Sequence, residues 1–124
     1  MGIRRVVPNI ESDDLVGSRE FYVGLLGFEV GMDMGWIVSF VSPTNPTAQV
    51  QIVRRADPAS ASPEPDMTVE VSDVDATFAE AERRGAEIVY PVTDEPWGVR
   101  RFFVRDPNGV VINVMTHRER PVEI

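Results

Sequence analysis

The chain contains no cysteine. Disulfide staples, thiolate metal sites and a cysteine nucleophile are therefore excluded. It has a single histidine, His117, so zinc or iron sites built from several imidazoles are excluded as well. Lysine is absent, and all 12 basic residues are arginine. Against 20 acidic residues they leave a net charge of −8. Such a surface repels a phosphate backbone, so nucleic acid is not an expected partner, whereas a cationic small molecule would be attracted. Long apolar runs are missing too. The one extended stretch without charge, Met34 to Val53, is interrupted by Pro43, Asn45, Pro46, Gln49 and Gln51, so it does not read as a membrane span. No long apolar core follows the basic start at Arg4 and Arg5, as a secretion signal would need. The expectation is a cytoplasmic protein.

What is present fits an ordinary globule. The 124 residues, 43% of them hydrophobic, match one domain able to bury its own core without a metal. The pattern along the chain runs twice. Arg4–Ile10 reads as a strand. Ser12-Asp13-Asp14 opens a helix that would turn Leu15, Phe21, Tyr22, Leu25 and Leu26 inward, and Gly27 closes it. Strands follow at Phe28–Asp33, Trp36–Val41 and Ala48–Arg54. The Ala, Ser, Pro and acidic residues of 56–65 read as a linker. Then Met67–Val71 is a strand and Asp73–Arg84 a helix closed by Gly85. Three more strands are expected at Glu87–Val92, Val99–Arg105 and Val110–Thr116, with Asp106-Pro107-Asn108-Gly109 as the turn before the last. This gives an α+β fold of two βαβββ repeats, about 3–55 and 66–117, within a single domain 1–124. One helix per repeat covers one face of each four-stranded unit, and the two uncovered faces together make an open cleft.

Strand alternation sorts the side chains. The purely apolar sets, Val6, Pro8 and Ile10 on the first strand among them, are expected under the helices. The mixed sets, Arg5, Val7 and Asn9; Asp66, Thr68 and Glu70; Val111, Asn113, Met115 and His117, are expected in the cleft. Trp36 and Phe40 would share one face of the third strand, Met32 and Met34 one face of the second, and Trp97 the cleft rim. Flat rings and soft thioethers suit a planar aromatic ligand. Arg100 and Arg101 would meet acidic partners such as Asp66, Glu70 or Glu95. The expected ligand-binding residues are thus Trp36, Phe40, Trp97, Asn9, Asp66, Thr68, Asn113, Met115 and Arg101, with no catalytic residue evident. The uncharged run would present one face to the cleft and the other to a second subunit.

The segments Asp14-Leu15, Phe21-Tyr22, Leu25-Leu26-Gly27-Phe28, Val71-Ser72-Asp73-Val74-Asp75-Ala76 and Pro96-Trp97-Gly98-Val99-Arg100-Arg101-Phe102, together with the Asp106 turn, resemble the vicinal oxygen chelate superfamily. Glyoxalases, bleomycin resistance proteins and extradiol dioxygenases belong to it. The resemblance implies a curled sheet in two βαβββ modules and a two-fold dimer. It also places a divalent-metal site whose ligands would fall on Val7, Asp66 and Asn113. A valine cannot coordinate and an amide is a weak ligand, so the implied metal is not expected. The Pro96-Trp97-Gly98 segment is similar to the bleomycin-resistance branch, which implies a metal-free, cofactor-free homodimer that sequesters an aromatic or polycyclic antibiotic. The alternative is a lyase, isomerase or dioxygenase working with a non-standard metal site or none.

Overall fold

A computed structural model of the chain describes residues 2–55 and 64–118. The repeat seen in the sequence is the repeat of the fold. β1 (Ile3–Ser12) leads into α1 (Leu15–Arg19), which continues as a π-helical segment (Glu20–Leu25). β2 (Glu29–Asp33), β3 (Ile37–Val41) and β4 (Gln49–Arg54) complete the first unit. The second unit is β5 (Met67–Val71), α2 (Val74–Arg83), β6 (Glu87–Asp94), β7 (Val99–Arg105) and β8 (Val111–His117). Residues 56–63 of the expected linker lie outside the described residues.

Both helices start the same way. The Asp14 carboxylate accepts from Gly17 N at 2.8 Å and the Asp73 carboxylate from Ala76 N at 3.0 Å, each satisfying a donor that the first helical turn leaves unpaired. The donor is glycine in one helix and alanine in the other; at Gly17 a Cβ would lie 2.3 Å from an Asp14 carboxylate oxygen, so that side chain would have to turn to accommodate one. Both helices end before a left-handed glycine, Gly27 at φ 84° and Gly85 at φ 70°. The expected turn at Asp106 forms as its carboxylate accepts from Asn108 N and Val110 N, with Gly109 left-handed.

The eight strands form one sheet in the order β2-β3-β4-β1-β5-β8-β7-β6. It curls without closing. Within each unit the first strand pairs in parallel with the last, β1 with β4 and β5 with β8. The units meet at an antiparallel seam in which Val6 faces Val69 and Val7 faces Thr68. That seam puts the centre of the cleft floor on β1 and β5.

The outer face carries two cores. Under α2, Phe78 and Ala81 pack on Val71, Val74, Phe102 and Val114, as the helical spacing predicts. Under the first helix, Leu15, Tyr22 and Phe28 pack on Val38, Phe40, Val50 and Ile52, with Tyr22 stacked on Phe40 at 5.4 Å. Here the structure corrects three expectations. Phe21, Leu25 and Leu26 point outward, Leu25 being 69% exposed. For the two leucines the cause is the π-helical turn. Leu26 N bonds to Phe21 O, five residues back, and the wider turn rotates Leu25 and Leu26 off the inward stripe, while Phe21 lies about 120° round the helix from the inward Leu15 by ordinary helical spacing. On β1, Val6 and Ile10 are exposed rather than covered, because neither helix reaches over the seam. Finally, the outer face of the uncharged run is covered by this chain's own Leu15, Tyr22 and Phe28, so it needs no second subunit.

Candidate functional site

The inner face of the curled sheet encloses a cleft of about 760 Å³, within the range of small-molecule sites. Its floor is an uncharged polar stripe crossing five strands. Ser39 on β3 faces Gln51 on β4, and Gln51 faces Asn9 on β1. On the other side of the seam Thr68 on β5 faces Asn113 on β8. Gln51 Nε2 lies 3.4 Å from Ser39 Oγ. Asn9 Nδ2 donates to Thr68 Oγ1 at 3.0 Å and Asn113 Nδ2 donates to the same oxygen at 3.1 Å. Thr68 is 3% and Asn113 8% exposed. Val7, beneath the stripe at the seam, is fully buried.

Two walls rise from this floor. On the β2–β3 side stand Met32, Met34, Trp36 and Ile37. On the β6–β7 side stand Tyr90, Trp97, Arg101 and Phe103. Trp36 and Trp97 are each a little under half exposed, which leaves ring surface open to a ligand. The Arg101 guanidinium carbon sits 5.5, 5.1 and 4.7 Å from the ring centres of Tyr90, Trp97 and Phe103. Arg101 also pairs with Glu95 at 2.8 Å, and Glu95 in turn accepts from the Tyr90 hydroxyl at 3.1 Å. The guanidinium is therefore held as one more flat plate in the aromatic wall.

The remaining charges of the cleft largely neutralise one another. Glu70 is bound by Arg5 and lies 3.1 Å from His117 Nδ1, while Arg5 also bonds Gln49. Burial pushes the Glu70 carboxyl up, but hydrogen bonds and charge from Arg5 and His117 outweigh it and hold the group below its ordinary value. Glu64 is different. It lines the cleft with no bonded partner among the described residues, and burial, aided by Glu11, raises its carboxyl against the pull of Arg101.

Seven of the nine expected residues line the cleft: Asn9, Trp36, Thr68, Trp97, Arg101, Asn113 and Met115. Phe40 does not. It is 0% exposed on the opposite face, under Tyr22. Trp36 precedes β3, so alternation does not carry over from the strand, and Trp36 and Phe40 do not share a side. Asp66 is also excluded. It lies ahead of β5, exposed, with its carboxylate accepting from Val111 N at 3.2 Å. Arg100 pairs with Asp75 and Asp94 on the outside, not with a cleft residue. The sequence reading omitted Ser39 and Gln51, although both alternate with buried neighbours (Val38 and Phe40, Val50 and Ile52), the signal that would have found them.

The residues do not fit the divalent metal that the resemblance implies. Val7 has no donor atom, Asp66 lies outside the cleft with its carboxylate on Val111 N, and Asn113 offers only a neutral amide oxygen, a weak ligand by itself. Among the described residues no group of three or more His, Asp or Glu side chains could hold a metal ion. Among them, too, no helix is long and apolar enough to cross a membrane.

The family model described as the Glyoxalase/Bleomycin resistance protein/Dioxygenase superfamily matches residues 5–114. No curated protein matches the sequence. Among solved structures, a glyoxalase/bleomycin resistance protein/dioxygenase superfamily member from Vibrio splendidus 12B01 superposes with TM-score 0.70 at 19% identity, over 93% of this chain and 99% of that one. A methylmalonyl-CoA epimerase solved with methylmalonyl-CoA and NH4+ gives 0.71 at 21%, over 97% and 100%. An extradiol ring-cleaving dioxygenase from B. fuscum gives 0.70 at 20%, over 94% of this chain and 33% of that one. At these identities the likeness establishes the fold alone.

Proposed function

The chain belongs to the glyoxalase/bleomycin resistance protein/dioxygenase superfamily, and from that premise we propose that it is a metal-independent member that binds a planar organic molecule in its cleft. The observation that carries this reading is the floor. Where a metal-dependent relative needs anionic or imidazole ligands, Asn9, Thr68 and Asn113 form a neutral hydrogen-bonded group. The walls supply what an aromatic or polycyclic guest requires, namely two half-open indoles, thioethers and a ring-stacked guanidinium. Glu64, without a bonded partner among the described residues, gives a basic substituent a place to sit, in keeping with the net charge of −8. The ligand in this reading is an antibiotic or other natural product that the cleft sequesters, held by the stacking surfaces and the neutral floor. The protein would act in the cytoplasm as a homodimer, the exposed Val6, Ile10, Phe21 and Leu25 supplying an apolar surface for a second copy.

The test uses chelator-dialysed protein. Aromatic antibiotics should quench Trp36 and Trp97 emission, Trp36→Ala and Trp97→Ala should each weaken the effect, and the compound should be recovered intact. Turnover of the compound, or stoichiometric Zn, Mn, Fe or Ni by elemental analysis, would transfer support to the enzymatic alternative.

A further inference from the structure

Two residues along β5 from Thr68, the cleft carries a cluster that takes no part in its stacking walls. Glu70 is shared between two partners, one for each carboxylate oxygen: Arg5 Nε donates to Oε1, and His117 Nδ1 lies 3.1 Å from Oε2. Arg5 is held from its other side by Gln49, which accepts from Nη1. All of these residues line the cleft. The Arg5 and Glu70 side chains are largely buried, whereas that of His117 is 56% exposed. Arg5 and Glu70 thus form a fixed support, and the imidazole is the part a ligand reaches.

That support dictates where the imidazole proton sits. Burial pushes the Glu70 carboxyl up, but Arg5 and His117 hold it below its ordinary value, so it is ionised at neutral pH and can only accept. Nδ1 therefore donates, and in the neutral ring the lone pair is left on Nε2. Turning the ring over would set a carbon against Oε2 and lose the bond. Nε2 itself has no hydrogen-bond partner among the described residues. Its place is fixed as well. His117 pairs with Val99 across β7 and β8, and Arg118 N bonds to Gly98 O at 2.9 Å, which ties the imidazole beside the Trp97 turn. Arg5 cancels the charge of Glu70, and the other charges nearby are spent, Arg101 on Glu95 and Arg118 on Asp94. The one unpaired carboxylate lining the cleft, Glu64, precedes β5 at its opposite end. This end therefore offers a strong neutral acceptor and no net attraction for a cation.

From this geometry we infer that His117 Nε2 accepts a hydrogen bond from an acidic hydroxyl of the guest, that is, a phenol or enol on the edge of its planar ring system. A ring lying on Trp97 presents that edge to the imidazole. His117 is the contact, Glu70 the positioning residue that fixes its tautomer, and Arg5 the anchor of Glu70. The inference rests on the organic-ligand reading above and names the substituent that the guest carries at the Trp97 end.

Two probes sharing one ring system test it, β-naphthol and its methyl ether, of which only the first can donate. Each is titrated calorimetrically into the untagged full chain at about pH 8, where the naphthol keeps its proton in water. The ratio of the two affinities should be at least about 5-fold higher in wild type than in His117→Leu, the worth of one hydrogen bond, with the affinity for the ether little changed. Glu70→Gln, which frees the ring to take either tautomer, should lower the same ratio and again spare the ether. Because the chain has a single histidine, its ring nitrogen NMR signals are unambiguous. They should show the proton on Nδ1 in the free protein, and the Nε2 signal should move with β-naphthol and not with the ether. A proton on Nε2, or the same affinity ratio in wild type and His117→Leu, would overturn the inference, while binding of the ether would still support an aromatic cleft. If neither probe binds, the organic-ligand reading fails and this inference falls with it.

Discussion

Glu95→Gln isolates the role of Arg101 in the aromatic wall. The carboxylate and guanidinium lie 2.8 Å apart with side chains 9% and 22% exposed. At that separation and an effective dielectric of about 20 the gross attraction is about 6 kcal/mol, most of which repays desolvation. Breaking a buried pair from one side costs about 3–5 kcal/mol. Glutamine retains the shape and can keep neutral hydrogen bonds to Tyr90 and Arg101, so a net loss of about 2 kcal/mol is expected. For 124 residues with about 2.1 cal/mol/K of unfolding entropy each, that lowers Tm by about 8 °C. Being largely buried, the effect should persist in 1 M salt, where a surface pair would be screened. Scanning calorimetry of Glu95→Gln, Arg101→Met and the double variant gives the coupling energy, and Trp97 emission reports whether the wall has moved. A coupling of less than about 0.5 kcal/mol, with emission unchanged, would show that the wall does not depend on this pair.

The Glu70 carboxyl is held below its ordinary value of 4.5, so its stabilising contribution is complete above that pH and is lost as pH falls through the depressed value. Wild type should therefore lose stability more steeply than Glu70→Gln as pH falls below about 4.5, and parallel profiles would contradict the Arg5–Glu70–His117 assignment. Phe40→Ala should destabilise by about 3–5 kcal/mol in urea, because Phe40 is a fully buried core ring and not a ligand contact. Leu25→Glu, at an exposed site, should turn the proposed homodimer into a monomer in sedimentation without lowering Tm, and an unchanged mass would remove that face from the interface.

The second repeat was more legible than the first. Val74, Phe78 and Ala81 keep an undisturbed helical spacing, and Val99–Arg105 and Met67–Val71 begin and end where their patterns do. In the first repeat the expected periodicity of Leu25 and Leu26 was misleading, since the i→i+5 turn of the π-helical segment changes the phase of the side chains at its end. In the cleft, alternation located Asn9, Thr68, Asn113 and Met115 correctly. It failed for Phe40, which was given the same face as Trp36, and for Asp66, because Trp36 and Asp66 both stand just before a strand, where the pleat does not yet constrain the side chain.

By itself the sequence determined the two βαβββ units, their capped helix starts, the glycine stops and the lack of metal-ligating residue types at Val7 and Asn113. These are local matters of side-chain chemistry and spacing between neighbours along the chain. Only the tertiary structure decided that Thr68 would collect two amides from different strands, that Arg101 would lie among three rings, and that Glu70 would be engaged by Arg5 and His117. The partners of Thr68 and Glu70 lie 45 or more residues away along the chain, and their meeting depends on the register of the β1–β5 seam, whereas Arg101 meets its rings through the pairing of β6 with β7; both are quantities summed over many backbone hydrogen bonds rather than encoded by any one segment.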